Sequence, residues 1–293
     1  MRKNDTKGYK VFTAFNVLFM IVIMAITLYP LIYVLFASFS DSDLFIATKV
    51  FLIKPVGFSL ESYKMVFRDP MILRGYGNTL LLVVVGVSLN MVLTILGAYV
   101  LSRRNAKFIR PMTLMILFTM YFNGGLIPFY FVVKSLGMVN SFWVLVIPTA
   151  INTYNLIIMR SAFAAVPKEL EEAAAIDGAN HFVILVRVLV PVVIPTIMVI
   201  ILYYTVGRWN EWFYASIFLN DRSKFPLQLV LREILVQNDT SKMTAGAEVA
   251  DTVTLAETVK YAVMIVSTVP ILLIYPFLQK YFVKGVMIGA VKG

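Results

Sequence analysis

Apolar residues gather into six long runs along this chain, separated by shorter polar segments. The runs are Val11–Ala37, Leu73–Leu101, Pro111–Val133, Ser141–Met159, Val190–Phe213 and Val259–Leu278. A helix crosses the hydrocarbon layer with about 20 mainly apolar residues, and each run is close to that length or longer. The pattern therefore predicts an all-α membrane protein with six transmembrane helices in a single domain covering 1–293. An even number of spans puts both termini on one side. The basic start (Arg2, Lys3, Lys7, Lys10) and the loop Ser102–Arg110, with Arg103, Arg104, Lys107 and Arg110, place that side in the cytoplasm. The first run is too long for the core of a signal peptide and is read as a retained span.

Between the runs, 38–72 and 217–258 fall outside the cell. The first reads as an extended lid with Pro55 and Pro70; the second reads as a small, polar loop flanked by short helices. The segments 160–189 and 279–293 fall inside. Within the second run, Gly86, Asn90, Thr94 and Gly97 recur at helical spacing on one face, which lets a neighbouring helix approach closely and gives Asn90 a partner. Asn123-Gly-Gly and Pro128 interrupt the third run, and Pro191 and Pro195 open the fifth. Such breaks survive in a membrane where neighbours or a cavity satisfy the freed backbone groups.

Composition sharpens this picture. Hydrophobic residues make up 60% of the 293 and charged residues 14%, against about 25% charged in soluble domains. The net charge of +10 lies almost wholly on the predicted cytoplasmic side. That is the orientation bias of a membrane protein, and no nucleic-acid groove is implied. With no cysteine and one histidine, His181, the chain has neither a disulfide nor a histidine or thiolate metal cluster.

The most informative polar segment follows the fourth run: Val166-Pro-Lys-Glu-Leu-Glu-Glu-Ala-Ala-Ala-Ile-Asp-Gly-Ala-Asn-His181. Pro167 suits a helix start, Glu169, Glu171 and Glu172 suit its positive end, and Gly178 suits a left-handed stop. A short helix with a strip of alanines is predicted. An amphipathic helix lying on lipid is the competing reading, but so many carboxylates facing an anionic leaflet favour a protein partner.

Glu172-Ala-Ala, Asp177-Gly-Ala and Val188-Leu-Val-Pro191 resemble the EAA loop of ATP-binding-cassette importer permeases. Val188 and Val190 stand where that pattern has Ile and Leu. Gly124-Gly-Leu-Ile-Pro, Trp209-Asn-Glu-Trp, Tyr275-Pro-Phe and the tail from Tyr281 to Gly293 extend the likeness to the MalG-like carbohydrate-uptake permeases. Among these, the chain looks most like subunits that import oligosaccharides released from polysaccharides such as alginate.

The resemblance implies a bacterial inner-membrane, multi-pass subunit. It would work with a homologous second permease, two ATPase subunits that hold ATP and Mg, and an extracytoplasmic solute-binding protein. It implies that Glu172, Ala173, Ala174, Asp177, Gly178 and Pro191 belong to a coupling helix docked on an ATPase. The tail, with Gly285, Gly289 and Lys292, would enter the ATPase interface. The loop with Asn238, Asp239, Thr240 and Gly246 would probe the binding protein.

No Gly-x-x-x-x-Gly-Lys-Ser/Thr occurs in the chain, so no nucleotide cofactor is expected on it and no catalytic site of its own. An ion-coupled transporter acting alone, or a receptor using the acidic helix as a dock, are the competing readings. Ion coupling favours ionisable groups deep in the spans, and Arg208 and Glu211 are the candidates, with mutual pairing as the structural alternative. Sugars bind through aromatic faces and hydrogen-bonding side chains. Tyr203, Trp209, Asn210, Trp212, Asn152 and Asn155 offer these, while an interfacial aromatic belt is the favoured reading of Trp209 and Trp212.

Overall fold

A computed structural model describes residues 7–48, 51–103, 108–237, 257–273 and 276. The expected binding-protein residues Asn238, Asp239, Thr240 and Gly246, and the tail 279–293, lie outside the described residues. The described chain is almost entirely helical. Its extended pairing is one isolated antiparallel bridge, Ser40 with Phe58.

Two compact units form: Met1–Pro70 with Glu233–Thr268, and Met71–Arg232 with Val269–Gly293. In the first, α1 (Lys7–Ser38) is a 32-residue apolar helix whose hydrophobic centre is wholly unburied within the chain. Its C-terminal end meets α2 (Ser42–Thr48), α3 (Glu61–Arg68) and α14 (257–273). Ala37, Phe45 and Leu52 form a small core with Tyr33 and Tyr261. Hydroxyls bind it further: Ser42 to Thr258 at 2.6 Å, Ser62 to Thr258 at 2.9 Å, and Ser38 to Tyr63 at 2.7 Å. The segment expected as an extended lid thus carries two short helices.

The second unit is built on α4 (Pro70–Ser102), an uninterrupted 33-residue helix. Lipid tails are as apolar as leucine, so close packing and polar contacts hold such helices together more than hydrophobic burial does. The stripe of small and polar residues supplies both. A Cβ on Gly97 would lie 3.2 Å from Leu156, and one on Gly86 would lie 3.1 Å from Arg208. Asn90 and Thr94 are fully buried. Around the stripe, Ala98, Leu101, Leu156, Met159, Phe163, Leu189 and Ile200 make a continuous core.

Three expected spans differ from straight rods. The third is α5 (Ile109–Tyr121) and α6 (Leu126–Ser135), bent by 116°. The break is stabilised locally: Gly125 has φ +89°, and its N–H donates to Asn123 Oδ1 at 2.9 Å. The fourth, expected as Ser141–Met159, is a 3-10 turn (Phe142–Leu145), an irregular stretch 146–152, and then α7 (Thr153–Ala164). Pro148 has no N–H to continue a helix and its ring clashes with the carbonyl four residues earlier.

Beyond α7 and the short α8 (Lys168–Ile176) comes α9 (His181–Val183), which leads through a π-helical stretch, Ile184–Leu189, into α10 (Val190–Val192). The chain then bends by 85° at Val193 into α11 (Ile194–Trp209), the fifth span. Pro191 and Pro195 flank the bend, the usual cause of a sharp kink. The helices α12 (Phe213–Phe218) and α13 (Leu227–Gln237) follow. Among the described residues two helices are long and apolar enough to cross a membrane, or four if each bent pair counts as one span.

Candidate functional site

The acidic segment forms α8, with no buried residue. Pro167 caps it and Glu169 and Glu171 occupy its first turn, where carboxylates favour the positive end of the helix. Gly178, with φ +83°, donates its N–H to Ala175 O at 3.0 Å, and Ala179 N–H donates to Ala174 O at 2.9 Å. These two bonds make a Schellman end, which a left-handed glycine permits without strain. Three consecutive residues on a helix point in directions about 100° apart, so Ala173–Ala175 cannot form one flat strip. Ala174 packs inward on the core, while Glu172, Ala173, Ala175, Asp177 and Gly178 face outward. Ile176, 86% exposed, extends the outward face. Pro191 is exposed at the far end of the π-helical stretch.

One ion pair fixes α8 to the rest of its unit. Arg103, directly after α4, binds Glu171 and lies 4.3 Å over the ring of Tyr99. The Tyr99 hydroxyl is in turn 3.1 Å from His181 Nδ1. His181 thus belongs to the anchor of the acidic helix.

The second polar site is a cavity of about 440 Å³ lined by Thr149, Asn152, Tyr154, Asn155, Tyr203, Tyr204, Gly207, Arg208 and Glu211. It brings together three of the six residues singled out as sugar contacts: Tyr203, Asn152 and Asn155. Asn152 also caps α7, accepting from Asn155 N–H at 3.1 Å. The other three lie elsewhere. Trp209 is 2% exposed and meets Tyr76 edge-on at 6.2 Å, because six residues turn a helix by about 240° from Tyr203. This burial removes Trp209 from both sugar contact and an interfacial belt. Asn210 donates to Val206 O at 2.9 Å, and Trp212 carries Arg232 at 3.9 Å over its ring; neither lines the cavity.

Arg208 and Glu211 do not pair. The Arg208 guanidinium is 5% exposed and donates to Asn90 Oδ1 at 3.0 and 3.3 Å, to Thr149 Oγ1 at 2.8 Å, and to the carbonyls of Leu145, Val146 and Thr149. Asn90 donates to Thr149 O and Ala150 O. Tyr204 hydrogen-bonds Thr94 at 2.8 Å and accepts from Asn152 N–H at 3.0 Å. Sequence reasoning missed Tyr204, Tyr154 and Thr149. Their available signal was Pro148, which marks a break in a span where polar partners are needed.

Among the described residues no group of three or more acidic, histidine or cysteine side chains could hold a metal. What the geometry offers is an exposed acidic helix tied to α4, and a polar cavity walled partly by unwound backbone.

Known proteins are similar to this chain. The chain is 40% identical over 290 residues to Protein LplC of Bacillus subtilis, covering 99% of this chain and 98% of that protein. It is also 40% identical over 280 residues to the polygalacturonan/rhamnogalacturonan transport system permease protein YtcP of the same organism, covering 94% and 96%. A solved bacterial ABC transporter involved in the import of the acidic polysaccharide alginate contains a chain with TM-score 0.91 and 32% identity, covering 96% of this chain and all of that one. Residues 91–288 match the profile of binding-protein-dependent transport system inner membrane components. With both the sequence and the fold shared across nearly its full length, the chain belongs to that family of ABC-importer permeases.

Proposed function

We propose that this chain is one of two homologous permeases in an importer that takes up acidic oligosaccharides released from a polysaccharide. It crosses the membrane six times with both termini in the cytoplasm, and α8 is its coupling helix. The observation that carries this reading is α8 itself: an acidic helix with no buried residue, a closed end and an anchor to α4, on a chain without a phosphate-binding loop. Glu172, Ala173, Asp177 and Gly178 present the face that docks on an ATPase subunit, and Ala174 sets the seat of the helix on its own core. Two similar proteins are named for galacturonan and alginate transport, both built from uronic acids, which supports an acidic oligosaccharide. Tyr203, Asn152 and Asn155 offer it an aromatic face and amides in the cavity, and an external binding protein selects it.

Arg208 itself is a poor ion-coupling group. Among the described residues it is the one charged side chain that is fully buried, and an arginine whose N–H donors are all engaged does not exchange protons.

The test is uptake of oligogalacturonates and alginate oligosaccharides into vesicles holding the permease pair, both ATPases and the binding protein. ATP-dependent uptake is expected, and Gly178→Pro should abolish it while the spans still insert. Uptake by this chain alone under an ion gradient, or full transport by Gly178→Pro, overturns the reading.

A further inference from the structure

The structure assigns Arg208 a positioning role: it holds the fourth span unwound, so that backbone and α7's first turn form the wall of the cavity. The argument starts from the carbonyls. Where a helix runs unbroken, each carbonyl is taken by an N–H four residues on; across 146–151 that ladder is missing. Inside a membrane, water does not satisfy lipid-level backbone, and each group left bare is costly. Yet no buried side-chain polar atom lacks a partner among the described residues, and the carbonyls of 145, 146, 149 and 150 are all taken.

Two side chains from other helices take them, and the Thr149 hydroxyl adds a local donor to Leu145 O at 3.2 Å. Arg208 serves Leu145, Val146 and Thr149, and Asn90 serves Thr149 and Ala150. The remaining guanidinium N–H groups go to Asn90 Oδ1 and Thr149 Oγ1, so the two side chains also fix each other. This needs a planar fork with five donors. A lysine at 208 has three donors on one atom and cannot span the same acceptors.

Gly86 shows that the fold makes room for the fork. A Cβ there would lie 3.1 Å from Arg208 Nε and 3.4 Å from Cδ, so the side chain crosses α4 where α4 has no side chain. Just beyond the unwound stretch, Tyr204 receives Asn152 N–H and sets where α7 begins. Thr149, Asn152, Tyr154 and Asn155 therefore reach the cavity from a backbone that Arg208 and its two partners hold in shape.

The inference rests on the proposed sugar cavity for its functional meaning, and its test separates the two. The chain has no cysteine, so Tyr154→Cys gives one reactive probe on it; Tyr154 is 56% exposed. The assembled transporter is placed in lipid nanodiscs, and the rate at which a polar maleimide modifies this chain is measured with and without R208K. A change of about fivefold or more is expected in complexes recovered in normal amount. The half-saturating concentration of oligogalacturonate for uptake should rise by about fivefold or more, with a smaller change in maximal rate.

A merely structural Arg208 would lower the yield of complex and leave the labelling rate and half-saturation of the survivors unchanged; that result overturns the inference. If R208K does not assemble, Gly86→Ala presses on the same guanidinium while keeping it. A labelling change of about twofold is expected there, and none overturns the inference. If labelling depends on Arg208 but oligosaccharide never protects Tyr154→Cys, the positioning role stands and the sugar contact falls.

Discussion

The acidic helix α8 and the knot around Arg208 solve one problem by opposite means. Each must satisfy backbone groups that a helix leaves bare at an end or a break. α8 does so with its own neighbours: Gly178 and Ala179 close its carbonyls from three and five residues away. The knot draws its donors from across the chain, since Arg208 is 59 to 63 residues from the carbonyls it serves. A local solution can be altered without disturbing the spans. A distant one joins three helices, and altering it moves them all.

The largest effect should therefore come from Arg208→Met. It leaves Val146 O and Asn90 Oδ1 with no donor in a buried setting, at about 1–3 kcal/mol each. The assembled complex should melt well below the parent in a thermal unfolding scan, and recovery from membranes should fall. A complex of unchanged melting temperature would put the knot on the same footing as α8.

Next comes Gly178→Ala, which keeps the N–H bond but places a Cβ at φ +83°. The strain is about 1–2 kcal/mol, confined to the end of α8. ATP-dependent uptake should drop several-fold with melting unchanged, the reverse of the pattern for Arg208. Thr94→Val removes the hydroxyl that meets Tyr204 and should cost about 1 kcal/mol in thermal stability.

The smallest effect belongs to Glu171→Gln. Its partner Arg103 has 30% of its side chain accessible and Glu171 has 18%, so solvent screens the pair. A double-mutant cycle with Arg103→Gln should give a coupling below about 1 kcal/mol that shrinks with salt. The same cycle for Arg208→Lys with Asn90→Ala should give a larger coupling with little salt dependence. Reversal of that order would remove the contrast between the two sites.

The same contrast explains what could be read from the sequence. The two long unbroken apolar helices, α1 and α4, follow from apolar length, and α8 follows from Pro167, its carboxylates and Gly178, all within a dozen residues. The stripe from Gly86 to Gly97 was legible too, because helical spacing is local. What Asn90 and Arg208 bind was not, because their acceptors are backbone carbonyls that carry no side-chain signature. Trp209 was misplaced for a related reason: a tryptophan near the end of a span looks interfacial until the rotation of the helix is known. Broken spans were visible as Pro and Gly, but their angles of 85° and 116° are set by packing.

One property of α4 carries a mechanical consequence. Its C-terminal end is followed by Arg103, which grips the acidic helix, and the same unbroken helix carries Asn90 in the knot. Thirteen residues separate them, about 20 Å of rigid rod. A tilt of about 10° imposed at one end displaces the other by about 3–4 Å, roughly one hydrogen-bond length. The acidic helix and the knot are thus joined by one stiff element, so a small tilt at either is a displacement of hydrogen-bond size at the other.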